Sequence, residues 1–255
     1  MAMELDDVVD RVWAAHRAAV HSGIGSVVVP SIPIAWFGDL EAYLHSPLRV
    51  ITVGLNPSRL EFPRADPFLR FPRARELAGD ALDAEGRAVY AGAMNDYFRR
   101  EPYSAWFRPS FEEFLLGLGA SFYGSAACTA LHTDLCSPIA TDPTWSGLGE
   151  ERQTLREEGV RLWHELVRLL EPDVIVASVA RRHLDEIRFE WDGAWRVVHT
   201  IDRQNPYLVE ARNLVVGPNK QATLIFGRAA QKAFATIGSA DKRRAGAAVL
   251  EHHAG

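Results

Sequence analysis

The chain has 255 residues, 47% hydrophobic and 24% charged, with 19 Gly and 14 Pro; this is enough apolar material for a sizeable core and excludes global disorder or a fibrous repeat. A net charge of −5 excludes the non-specific DNA coating of strongly basic domains, so any nucleic-acid contact has to be local. The two cysteines, Cys128 and Cys136, cannot build an iron–sulfur cluster or a Cys-rich zinc site, and no metal or cofactor is expected.

The longest apolar runs, such as Val174 to Val179, fall far short of the ~20 residues that cross a bilayer. The acidic stretch Met1–Asp10 does not read as a signal peptide. A monomeric, cytoplasmic protein with reduced cysteines and no membrane association is expected.

In chain order, apolar positions at helical spacing predict a helix over about Leu5 to Val20, ended by the Gly23–Gly25 turn. Val50-Ile51-Thr52-Val53 is a β-branched run stopped by Gly54, a buried strand. Pro57 to Gly86 reads as a long loop, rich in Pro, Arg and Phe, of the kind that usually carries function. Helices are predicted at about 85–100 and 110–118, the second opened by a capping box with Ser110 at the cap and Glu113 three residues on. Ala127 to Leu135 is a second strand, breaking at Ser137-Pro138, and an amphipathic helix covers roughly 151–170. Asp173 to Ser178 is a third strand, followed by a helix to about Ile187. Strands near Trp195–Thr200 and Asn213–Val216 precede a helix from about Lys220 to Ile237. Strands alternating with helices predict an α/β fold with a mainly parallel sheet covered on both faces, in one domain over 1–238. The small, charged, aperiodic residues 239–255 predict a flexible tail.

In such sheets ligands sit beyond the carboxyl ends of strands, and three strand-end loops are expected to converge there. The first is Gly54-Leu55-Asn56-Pro57-Ser58, where Gly allows close approach and Pro stiffens the turn that holds the Asn56 amide; Asn-Pro-Ser is also an ordinary turn. The second is His132-Thr133-Asp134-Leu135-Cys136-Ser137-Pro138, which puts a carboxylate where a base edge could be read. Asp134 could equally cap a turn, and His132 could be a satisfied core histidine. The third is Gly217-Pro218-Asn219-Lys220-Gln221, whose Asn219 is a natural N-cap for a helix that favours anions at its start. Arginines cluster at Arg64, Arg70, Arg73 and Arg75, at Arg99, Arg100 and Arg108, and at Arg181, Arg182 and His183. Arg suits bidentate phosphate binding, although a solvated face is the plainer reading of each cluster.

The order of these loops resembles the uracil-DNA glycosylase superfamily over residues 48–237. Val50–Ser58 resembles its first motif in the Asn-bearing version of mismatch-specific members. Asp134 matches the place of a base-reading Asn in a similar His-Asn-X-Cys-Pro context. Pro172–Ala177 is similar to the family's central strand, and Gly217–Gln221 falls where its last motif, His-Pro-Ser or Asn-Pro-Ser, is kept. Lys220-Gln221 departs from that last motif.

The resemblance implies a three-layer α/β/α sandwich with a four- to five-stranded sheet. It also implies a monofunctional DNA glycosylase that flips a base and hydrolyses its N-glycosidic bond. On it, Asn56 and Asp134 carry the chemistry, while Gly54, Leu55, Pro57, Ser58, Phe68 and His132 line the base pocket. Asn219, Lys220, Gln221, Arg70 and Arg73 hold DNA. Phe68 resembles the family's stacking aromatic, with Phe62 and Phe71 as rivals. An ionised Asp at 134 only accepts hydrogen bonds, which favours the N4 amino group of cytosine. The expected substrate is a modified cytosine such as glucosylated hydroxymethylcytosine in phage DNA, an anti-phage activity. Alternatives are mismatch uracil or thymine repair, a non-catalytic DNA-binding protein of the same fold, and a small-molecule hydrolase.

Overall fold

A computed structural model describes residues 2–77, 81–229 and 232–254. Parts of the expected 57–86 loop (78–80), of the expected 220–237 helix (230–231) and of the tail (Gly255) lie outside the described residues. The helices are α1 (Ala2–His21), α2 (Leu40–Leu44), α3 (Ala84–Asn95), α4 (Ser104–Phe107), α5 (Glu113–Leu118), α6 (Glu151–Leu170) and α7 (Ser239–Ala254). The strands are β1 (Val50–Gly54), β2 (Ala120–Ser121), β3 (Cys128–Asp134), β4 (Val174–Ala177), β5 (Glu190–Ile201), β6 (Tyr207–Gly217) and β7 (Lys220–Gly227).

The chain divides into two compact units, each built from several segments. One comprises Met1–Asp39, Gly54–Tyr103 and Thr133–Leu169; the other comprises Leu40–Val53, Ser104–His132 and Leu170–Gly255.

In the first unit α1 and α6 are amphipathic, and their apolar stripes supply much of the core: Val8, Val9, Val12 and Trp13 from α1, and Leu162, Trp163, Leu166 and Val167 from α6. Arg11 on α1 is bidentate to Glu165 on α6, with Nη2 to Oε1 at 2.8 Å. Helix α6 also sits directly on the segment after β3, because a Cβ at Gly159 would come within 2.1 Å of the Cys136 carbonyl oxygen. Trp163 Nε1 donates to Thr133 Oγ1 at 3.0 Å. The close approach and this bond fix the carboxyl end of β3.

The second unit holds the sheet, apart from the closing residues of β1 and β3, which count with the first. Its order is β2-β3-β1-β4-β7-β6-β5. β1, β4 and β7 are mutually parallel, as are β2 and β3, whereas β6 and β5 run antiparallel. The fold is α/β as expected, but the sheet is wider and more mixed than the four to five mainly parallel strands anticipated. β4 is buried throughout, as a central parallel strand must be. β5 is exposed along most of its length and lies at one edge of the sheet.

Three further expectations are corrected. Residues 220–227 form β7 and not the start of a helix: Pro218 and Asn219 make a two-residue turn between β6 and β7, with Gly217 opposite Lys220. The run Ala222, Leu224, Ile225 and Phe226 is buried, and its apolar content reads equally well at either period. Ser110 does not cap a helix. It lies inside a π-helical turn, Arg108–Glu112, that joins α4 to α5, and its buried Oγ has no hydrogen-bond partner among the described residues.

Residues 239–254 form α7, not a flexible tail. α7 packs on α5 through two glycines. A Cβ at Gly246 would lie 2.0 Å from the Phe114 carbonyl oxygen, and one at Gly117 would lie 2.0 Å from that of Arg243. Gly246→Ala is therefore expected to force the helices apart at a cost of about 1–3 kcal/mol, read as a lower thermal midpoint by circular dichroism; an unchanged midpoint would mean that α7 is not docked this way.

Candidate functional site

The loop after β1 and the loop after β3 are joined along their backbones within the first unit. Leu135 N donates to Gly54 O at 3.0 Å, and Cys136 N and Ser137 N both donate to Leu55 O, at 2.9 and 3.2 Å. Thr141 N then donates to Pro57 O and Arg59 N to Thr141 O, each at 3.2 Å. Two of the three expected corners thus meet.

Asn56 is the side chain that locks them. Its Nδ2 lies within hydrogen-bond distance of Pro57 O (2.7 Å), Ile139 O (3.2 Å) and Thr141 Oγ1 (2.8 Å), three acceptors that share its two protons, and Thr141 Oγ1 in turn donates to Pro143 O (2.8 Å). Two carbonyl oxygens among the partners can be met only by the NH2 group, which settles the amide's orientation. Oδ1 accepts from no described residue and is not among the buried atoms lacking a partner. It is an open acceptor on a clamped amide.

Ser58 continues the loop by accepting from Leu60 N at 3.3 Å, which caps the short 3-10 helix Arg59–Glu61. That cap delivers a side chain the sequence reading passes over. Glu61 is only 5% exposed, and its Oε2 accepts from Tyr97 Oη at 2.5 Å, with Arg70 Nε at 3.8 Å. Tyr97 Oη in turn accepts from Tyr103 N at 2.9 Å, so its one proton is committed to Glu61. Burial pushes the Glu61 carboxyl up to about 7; Tyr97 and Arg70 oppose that rise, and the nearby charge of Asp134 adds to it. Burial and the neighbouring Glu61 also push the Tyr97 phenol well up, which keeps it a donor.

Asp134 is 7% exposed, at the last position of β3. It borders a cavity of about 10 Å³ lined by Val8, Val12, Pro138, Leu162 and Trp163, room for about one water molecule. An aromatic cluster backs the Glu61 loop. Phe62 stacks on Phe71 at 5.5 Å, Phe71 stacks on Tyr97 at 5.3 Å, and Phe68 meets Phe62 edge-on at 6.5 Å. Phe62 and Phe71 are fully buried and Phe68 is 6% exposed, so Phe68 is the one of the three nearest to solvent.

The remaining expected residues are placed elsewhere or occupied. His132 belongs to the second unit, where Nδ1 lies 2.7 Å from Thr52 Oγ1 and the ring packs against Trp106, Phe107 and Phe111. Asn219, Lys220 and Gln221 lie on the β6–β7 hairpin. Lys220 Nζ bonds Asp173 Oδ1 at 2.5 Å, at the amino ends of β4 and β7, and Gln221 Nε2 donates to Asp192 Oδ2 at 3.1 Å. These three residues belong to the second unit, whereas Asn56 and Asp134 belong to the first. Lys220→Met is accordingly expected to lower stability, by about 1 kcal/mol or less for a pair a quarter exposed, and to leave DNA affinity in fluorescence anisotropy unchanged. A large affinity loss would restore Lys220 to a binding role.

Arg70 is likewise engaged, donating to Leu60 O (3.0 Å) and Glu101 O (2.6 Å) beneath the Tyr103 ring. Arg73 reaches Asp96 (3.4 Å), Arg64 reaches Asp142 (3.4 Å), Arg75 reaches Asp66 (2.8 Å), and Arg99 pairs with Asp39. Among the described residues no group of three His, Cys, Asp or Glu is placed to hold a metal ion, and no helix is long and apolar enough to cross a membrane. No protein-family model, curated protein or solved structure matches the chain.

Glu61 signals itself in stability. A carboxyl whose folded pKa is raised from 4.5 to about 7 favours folding fully below the unfolded value, and that contribution is lost as pH rises through about 7. Glu61→Gln keeps a neutral acceptor for Tyr97, so it is expected to stabilise the protein by about 3 kcal/mol at pH 8 and to change little at pH 4. Denaturant midpoints at the two pH values check this, and equal effects at both would deny the burial of a charge.

Proposed function

We propose that the chain is a DNA glycosylase that hydrolyses the N-glycosidic bond of an everted, modified cytosine and leaves an abasic site. The clamped amide of Asn56 carries this reading. Such hydrolysis needs a fixed acceptor to orient the attacking water beside a sugar that gains oxocarbenium character, and an amide whose NH2 is fully committed offers its oxygen without reorganisation. Asp134, one strand away and ending β3, supplies an acceptor for an exocyclic amine. Phe68, at the solvent side of the aromatic cluster, supplies a stacking face. The order of the motifs around Asn56 and Asp134 supports the same assignment. On it, the α/β architecture is a glycosylase-type fold carrying an added antiparallel β5–β6 pair, in a monomeric cytoplasmic protein that acts on phage DNA.

One observation favours a second reading, an N-glycoside hydrolase acting on free nucleosides. The arginines of the 64–75 loop and Arg99 already hold carboxylates, which leaves the surface around this loop less suited to phosphates than a basic rim would be.

A panel separates the two: duplexes bearing uracil, a thymine mismatch, cytosine or glucosylated hydroxymethylcytosine, alongside the matching nucleosides, with released base identified by mass spectrometry. Release from the glucosylated duplex is expected, and Asn56→Ala should slow it about 10²–10³-fold, the loss seen when a fixed polar group is removed from a transition state. Base release by Asn56→Ala at the wild-type rate would remove Asn56 from the chemistry, and release from nucleosides alone would select the second reading.

A further inference from the structure

Resting on that reading, we infer that Glu61 is the proton-transfer residue of this site, taking a proton from the water that Asn56 Oδ1 orients. Its carboxyl group is asymmetric. Oε2 carries both contacts, the short bond from Tyr97 and the approach of Arg70. Oε1 accepts from no described residue, so one oxygen anchors the group and the other is left without a partner among the described residues.

A buried acid kept only for packing would have both oxygens bonded, as Glu112 does with Ser121 Oγ at 2.6 Å and Phe122 N at 3.3 Å. Asn56 itself cannot serve as a base, because an amide does not titrate usefully. The short chain Asn56-Pro57-Ser58-Arg59-Leu60-Glu61 is fixed at both ends, by the amide clamp and by the Ser58 cap. The groups that bear on Glu61 are Tyr97 and Arg70, which favour its charged form, and Asp134, which opposes it, with burial the largest influence. This balance holds the carboxyl near neutrality, where a general base combines availability with strength.

Water oxygen bonds to C1′ of the sugar while the bond from C1′ to the base nitrogen breaks, and its electron pair leaves with the base. One water proton passes to Glu61 Oε1, and Glu61 returns it to the departing base or to solvent. No oxidant, reductant or metal is needed.

The test uses the full-length chain and the panel duplex cleaved fastest, under single turnover, across pH 5 to 9. For the wild type the rate is expected to rise with pH to a plateau, with an apparent pKa near 7, and Glu61→Gln should be slower by about 10²–10⁴-fold, flat with pH, and still folded. Tyr97→Phe removes a bond to the charged carboxylate and should move the wild-type limb to higher pH. It decides the matter if Glu61→Gln does not fold, a displaced limb supporting the inference and an unmoved one overturning it. Carbon-detected titration of labelled Glu side chains supplies a readout independent of turnover, and no carboxyl titrating near neutrality would overturn the inference. A Glu61→Gln protein with the wild-type rate and limb overturns it while leaving the glycosylase reading intact. A wild type that releases no base from any duplex or nucleoside overturns both.

Discussion

The first unit is organised around one shared amide. Asn56 Nδ2 has three oxygen acceptors, and together with the backbone bonds from Leu135, Cys136 and Thr141 it welds the segment after β1 to the segment after β3. Everything proposed for the site inherits its rigidity from this weld: the cap at Ser58, the entry of Glu61 into the aromatic cluster, and the position of Asp134. Helix α6 braces the weld from behind, with Gly159 admitting the Cys136 carbonyl and Trp163 holding Thr133. A loop stitched by polar bonds and backed by a helix can hold catalytic groups to the tolerance that chemistry demands.

Within that frame the carboxyl of Glu61 is held against its own preference. Burial disfavours its charge, and a phenol and a guanidinium recover part of the loss. Opposed influences of this kind are what the proposed chemistry would draw on. The π-helical turn at Arg108–Glu112 in the second unit shows the contrasting case. Lys242 Nζ bonds the Pro109 carbonyl, and Glu112 is satisfied on both oxygens, an arrangement that braces the backbone and presents no reactive atom.

Much of the fold was legible in the chain's periodicities. The runs Val50–Val53 and Asp173–Ser178 became β1 and β4 because β-branched residues bounded by Gly, Pro or Ser have few other uses; Ala127–Leu135 became β3, and the apolar stripe of 151–170 became α6. The stretch 220–227 misled because its buried run has no distinctive period, and the Gly217-Pro218-Asn219 turn that closes a hairpin can also open a helix. Residues 239–254 misled because Ala and Gly leave no apolar stripe; their helix is held by backbone proximity at Gly117 and Gly246, which hydrophobic patterning does not record. In the site, Asn56 and Asp134 were legible as polar residues at strand ends. Glu61 was not, since it lies in a stretch read only as a long loop, and only the fold reveals that the acid turns to Tyr97, 36 positions along the chain.

The paired arginines of the first unit have a consequence for polyanion binding. Arg64, Arg73, Arg75 and Arg99 each keep an aspartate as an internal counterion. A phosphate backbone arriving here would exchange partners with those carboxylates in place of shedding the mobile ions that normally drive association. Affinity for this face would then vary only weakly with ionic strength, and discrimination among polyanions would come from how well their spacing matches the displaced aspartates and not from net charge.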